Sequence, residues 1–183
     1  MAESTHLWLI RHGQTEANAR HEFSGWRDVA LTPRGREEAR ALRPRLAAES
    51  FDGVWSSDLQ RAVHTARLAH SEPSQDSRLR EMHFGTLEGC TWDRVDESLR
   101  KALGHFQRFD APGGETAAVF RGRLYAFLDE LPPGRQLIFT HGGAIRALIG
   151  PLGHDQFLQT GEIAVVDWTA RQVLQILEKP RGA

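Results

Sequence analysis

Leu7-Trp8-Leu9-Ile10-Arg11-His12-Gly13 is an apolar run that stops abruptly at Arg-His-Gly. In an α/β protein such a run reads as a buried parallel strand. A second run of the same design, Ile138-Phe139-Thr140-His141-Gly142-Gly143, lies far downstream. Open α/β sheets hold their ligands in a crevice outside the carboxyl ends of the strands. Two imidazoles delivered to that edge, one beside Arg11, point to a site for an anion that reacts as well as binds. The alternative is a pair of strand-end histidines held by loop backbone; the arginines discussed below weigh against it.

Outward from the first run, Gly13 to Val29 is polar and irregular, and Thr32-Pro33 reads as an N-cap with proline at the first helical position. That helix is expected to reach Ala48, burying Ala39, Leu42 and Leu46. Phe51 to Trp55 reads as a short strand. Ser57-Asp58 is expected to cap a helix through Leu68, and Leu79 to Met82 to be a short extended piece. Trp92 to Phe109 is expected to be helical but weakly patterned. Beyond Pro112-Gly113-Gly114-Glu115-Thr116, a helix to Leu131 carries Val119, Phe120, Leu124, Phe127 and Leu128 as expected core residues. Gln136 to Thr140 is the strand that presents His141; a helix to Gly150 and a strand from Ile163 to Trp168 follow. Strands alternating with helices predict a three-layer α/β/α architecture around a mostly parallel sheet.

A length of 183 residues fits one domain spanning 1–183 with a substantial core. The net charge of −1 gives no global field toward nucleic acid or a membrane surface, so anion recognition must be local. Cys90 is the only cysteine, which excludes an internal disulfide and a thiolate-rich zinc site. The start, Met1 to Thr5, has no basic region of a secretory signal, no apolar run is long enough to cross a bilayer, and the expected compartment is the cytoplasm. The histidine spacings suggest no metal site, and no cofactor is expected.

Arg11-His12-Gly13-Gln14-Thr15-Glu16-Ala17-Asn18 resembles the opening of the histidine phosphatase superfamily, which includes the cofactor-dependent phosphoglycerate mutases. The resemblance continues through Phe23-Ser24-Gly25-Trp26, Leu31-Thr32-Pro33-Arg34-Gly35, Ser56 to Ala62, Arg80 to Gly85, Gly113-Gly114-Glu115 and Thr140 to Gly143. These blocks stand in family order over residues 7 to 150, and the ordered set is far more specific than Arg-His-Gly alone. It implies a phosphoglycerate mutase-like fold and a nucleophilic His12 that becomes phosphohistidine, with His141, Arg11 and Arg61 caging the phosphate. Arginine suits a phosphoryl group in transfer because its planar fork donates two hydrogen bonds and stays protonated. Thr15, Asn18, Ser24 and Gly142 are further expected contacts to phosphate or substrate.

The branch with aspartate directly after the second histidine does not fit, because Gly142 stands there. The resemblance therefore implies Glu81 as general acid and base, with Glu88, Glu16 and Glu115 as competitors. His83, Trp26 and Trp92 are candidates for the pocket wall or for packing. The expected function is metal-independent hydrolysis of a small phosphomonoester through phosphohistidine. One alternative is a cofactor-dependent phosphoglycerate mutase, whose first loop Gly25-Trp26-Arg27-Asp28 resembles; the stretch from Glu81 to His141 is short for that branch, and Arg100, Lys101 and Arg108 read as surface charge before carboxylate ligands. The other is a non-catalytic phosphate-binding module. The resemblance also allows a homodimer, with no stretch marked as its interface.

Overall fold

The first apolar run forms strand β1 (Thr5–Arg11) in a six-stranded sheet of the computed structural model, which describes residues 4–180. Both edges of β1 are paired. It runs parallel to β4 (Gly134–Thr140), with Arg11 opposite Thr140, and antiparallel to β5 (Ile163–Asp167). With β2 (Gly53–Ser56), β3 (Ser74–Gln75) and β6 (Gln172–Leu177), the order is β3-β2-β4-β1-β5-β6. The first four strands in that order are parallel and the last two antiparallel.

Alternate side chains of a strand point to opposite faces. Leu7 and Leu9 therefore pack beneath α6 (Ala117–Asp129) and α7 (Gly142–Ile149), against residues such as Leu124, Phe127 and Ile145. Trp8 and Ile10 join Leu42, Leu46, Ala66 and Ala69 on the other face. That layer is α2 (Pro33–Ala41), α3 (Arg43–Ala47) and α4 (Gln60–Ala69). Truncating a fully buried residue such as Leu124 to alanine costs about 2–5 kcal/mol at sites of this kind. The three-layer, mostly parallel arrangement is the one the sequence predicts.

Several local expectations are corrected. The helix begun by Thr32 breaks into α2 and α3, because Pro44 lacks the N–H a continuous helix would need there. Neither Ser57 nor Asp58 caps α4: Asp58 pairs with Arg80, and the Gln60 N–H at the start of α4 donates to Asp28 Oδ1 at 2.8 Å. Trp92–Phe109 contains only one α-helix, α5 (Glu97–Gly104), between two 3₁₀ turns. Val119 is 58% exposed and lies outside the core, since the inner stripe of α6 runs through Phe120, Leu124 and Phe127. The strand β6 has no counterpart in the sequence reading.

Candidate active site

The parallel pairing of β1 and β4 brings the two His-Gly ends side by side. The His12 N–H donates to Thr140 O at 3.0 Å, and the imidazole rings of His12 and His141 meet edge to face at 5.1 Å between centroids. Both rings are buried. His12 Nδ1 lies 2.7 Å from Gly13 O, an acceptor only, so Nδ1 carries the proton and Nε2 keeps its lone pair. Arg61, in the first turn of α4, donates its Nε–H to His12 Nε2 and to His141 Nδ1, each at 3.2 Å. That assigns the His141 proton to Nε2, a buried donor with no partner among the described residues; Arg11 Nε is another. These two unpaired donors are what an incoming phosphate would satisfy.

Burial, followed by the charges of Arg61 and Arg11, holds the His12 pKa well below its ordinary value. Burial and Arg61 do the same for His141. Both rings are therefore neutral near pH 7. Burial also lowers Arg11, and it lowers Arg61 to about 10, which leaves that guanidinium protonated at neutral pH. The Arg61 fork is fixed by two carbonyls, Nη1 donating to Arg27 O at 2.9 Å and Nη2 to Gly25 O at 2.7 Å. Gly25 sits at φ +50°, and a Cβ there would lie 2.0 Å from Glu88 Oε1, so a side chain at this position strains the loop that orients Arg61 and displaces Glu88.

Glu81 reaches the same hole from the loop after Leu79. Its Oε2 accepts from the Gly143 N–H at 2.9 Å, and its Oε1 from the Met82 N–H at 2.8 Å. Its competitors are engaged elsewhere: Glu88 Oε1 accepts from the N–H groups of Trp26 and Phe84, Glu115 pairs with Arg123, and Glu16 is exposed in α1 (Glu16–Ala19).

Arg11, His12, Arg61, Glu81 and Gly142 line an inner cavity of about 130 Å³, joined by Asn18, Ser24 and Phe23. Thr15 faces neither this hole nor the larger cavity outside it; it is the N-cap of α1, in a reciprocal capping box with Asn18. The outer cavity, about 670 Å³, shares Arg11, Asn18, Glu22, Phe23, Phe84 and Phe157 with the inner one. Trp92 and Leu103 form part of its wall, whereas Trp26 and His83 pack on each other at 5.0 Å away from both linings. Phe157, Gln159 and Thr160, on a late loop, and Arg146, on α7, also line it and were missed in the sequence, where such single residues carry no spacing signal. Arg100, Lys101 and Arg108 line neither cavity; Lys101 pairs with Glu97 on the surface. Among the described residues no group of three or more His, Cys, Asp or Glu side chains stands ready to hold a metal ion, and no helix is long and apolar enough to cross a membrane.

Comparison with known proteins agrees with this geometry. The family model described as histidine phosphatase superfamily (branch 1) matches residues 7–179. A 2,3-bisphosphoglycerate-dependent phosphoglycerate mutase of Parvibaculum lavamentivorans is 31% identical over 96% of this chain and 92% of its own length. The same-named protein of Azorhizobium caulinodans is 35% identical over 78% of this chain and 79% of its own length. The crystal structure of a phosphoglycerate mutase from Thermus thermophilus superposes with a TM-score of 0.89 at 41% identity, covering 96% of this chain and all (100%) of that one. A candidate α-ribazole-5'-P phosphatase from Escherichia coli gives 0.79 at 28% identity over 97% of each chain. These names support the mutase alternative better than the hydrolase expected first. With the family motifs gathered at one sheet edge and the match running nearly end to end, this chain belongs to the histidine phosphatase superfamily, branch 1.

Proposed function

We propose that this chain transfers the phosphoryl group of a phosphomonoester to His12 Nε2 and that water is the final acceptor. The observation that carries the first half is the fixed tautomer of His12, whose Nε2 lone pair faces the Arg61 Nε–H at 3.2 Å while the charge of Arg11 also bears on the ring. In the first step an Nε2–P bond forms while the ester P–O bond breaks. Arg11, Arg61 and the His141 Nε2–H stabilise charge on the phosphoryl oxygens, and Glu81 gives its proton to the leaving alkoxide. In the second step Glu81, now a carboxylate, takes a proton from water as that water attacks phosphorus and frees Nε2.

Two features support water over a second substrate hydroxyl. Apart from Arg11, the arginine and lysine side chains lining the outer cavity are already paired: Arg34 and Lys179 with Glu38, and Arg146 with Asp155. Beyond Arg11, a glycerate carboxylate or a second phosphate would meet there, among the described residues, only cations already in ion pairs. The volume of about 670 Å³ also suits a ligand body larger than three carbons. The second reading, a phosphoglycerate mutase, is favoured by the names of the curated relatives. Phosphate release from a panel of phosphomonoesters in EDTA, beside a 3-phosphoglycerate mutase assay with 2,3-bisphosphoglycerate, separates the two. Hydrolysis with negligible mutase turnover supports our reading, and mutase turnover far above hydrolysis overturns it.

A further inference from the structure

We propose that Arg123 and Glu115 are positioning residues for Glu81, holding the backbone on both sides of that carboxylate so that its proton points at the leaving oxygen. The inference rests on the reading of Glu81 as the proton donor. Glu81 lies in a segment without a strand ladder, between the 3₁₀ turns Ser77–Leu79 and Gly85–Leu87. Its backbone polar groups must be satisfied some other way.

A single ion pair does most of that work. Arg123, on α6, spends all five of its N–H donors here. Nη1 donates to Arg78 O and Arg80 O, and Nη2 to Glu81 O, each at 2.7 Å. Nε and the remaining Nη2 proton form a fork on Glu115, at 2.7 and 2.8 Å. Glu115 then fixes the far side: its Oε2 accepts the His83 N–H at 2.8 Å and its own N–H donates to His83 O at 2.9 Å. Residues 78 to 83 are thereby tied to one rigid pair whose side chains are 15% and 12% exposed. Trp26 Nε1 adds a second donor to Glu81 O at 2.8 Å. Neither Arg123 nor Glu115 lines the inner or the outer cavity; their contacts are to the backbone around Glu81, and the Arg123 charge also reaches His141.

The test is kcat/KM across phosphomonoesters whose leaving groups run from p-nitrophenol to aliphatic alcohols, for wild type, Glu81→Gln, Arg123→Gln, Glu115→Gln and each double variant. General acids contribute about 10²–10⁴ in rate. A misaimed Glu81 therefore predicts a loss of roughly tenfold or more on alkyl esters, under about twofold on p-nitrophenyl phosphate, and no further selective loss on the Glu81→Gln background. Arg123→Lys keeps the charge opposite Glu115 but cannot reproduce the fork, so it should lose alkyl-ester activity in the same sense; it carries the test should Arg123→Gln fail to fold. Equal loss on every ester, or none, in a folded variant beside a selective Glu81→Gln overturns the positioning role alone. A non-selective Glu81→Gln overturns the proton-donor reading and this inference with it.

Discussion

The Gly143 N–H donates to Glu81 Oε2 at 2.9 Å, tying the proposed proton donor to the first turn of the helix that begins beside His141. The approach is so close that a Cβ on Gly143 would stand 2.2 Å from Glu81 Oε1. Gly143→Ala should therefore push the carboxyl aside and cut kcat on alkyl phosphates by about tenfold or more, with a much smaller effect on p-nitrophenyl phosphate. Steady-state rates on the two ester types, with thermal melts to confirm the fold, check this. Equal rates in the variant and wild type would remove the Gly143 contact from the mechanism.

His12→Gln should abolish both turnover and acid-labile trapping of labelled phosphate, because an amide side chain offers no nucleophilic ring nitrogen in place of Nε2. Rapid quench followed by gel autoradiography reads the trapped label. Persistent label in the variant would move the nucleophile elsewhere.

Arg61→Met should lower kcat/KM by at least ~10², the scale of losing one preorganised donor to a developing oxyanion. It also strips Gly25 O and Arg27 O of their partners, so the loop from Gly25 to Asp28 should become more susceptible to limited proteolysis. A folded variant within about threefold of wild type would exclude Arg61 from transition-state stabilisation.

The depressed His12 and His141 values predict a pH-dependent stability with a definite sign. Below about pH 6.5 the unfolded chain takes up these two protons while the native rings, buried beside Arg61, do not. Stability is therefore full above the unfolded value and falls as pH drops through it toward the much lower folded values. Each ring contributes up to about 1.4 kcal/mol per pH unit. Urea unfolding of wild type and of His12→Gln/His141→Gln between pH 7.5 and 5 should show the steeper decline in wild type; parallel slopes would refute it.

Much of this was written into the sequence. Apolar runs ending in Arg11-His12 and His141 placed both imidazoles at one sheet edge, because parallel strands share the direction in which they end. The cap at Thr32 and the stripe through Leu124 and Phe127 were legible from turn chemistry and helical spacing. The failures are equally physical. Val119 is apolar and adjacent to Phe120, yet helical rotation turns it outward. Asp28 bonds the first N–H of α4 from 32 residues upstream, a distance no local pattern spans.

The sequence by itself determined the layered α/β fold and the residue types of the proposed phosphohistidine site, since periodicity and chain direction are local properties. Tertiary structure alone decided which atom of each residue is free. Glu81, Glu88 and Glu115 stand equal as letters; one lines the inner cavity, one caps backbone amides and one forks onto Arg123. The His12 and His141 tautomers, and hence which nitrogen attacks and which donates in the proposed reaction, follow from Gly13 O and Arg61 Nε. Hydrogen-bond partners are assigned by three-dimensional proximity, and proximity between distant loops has no signature in a linear string.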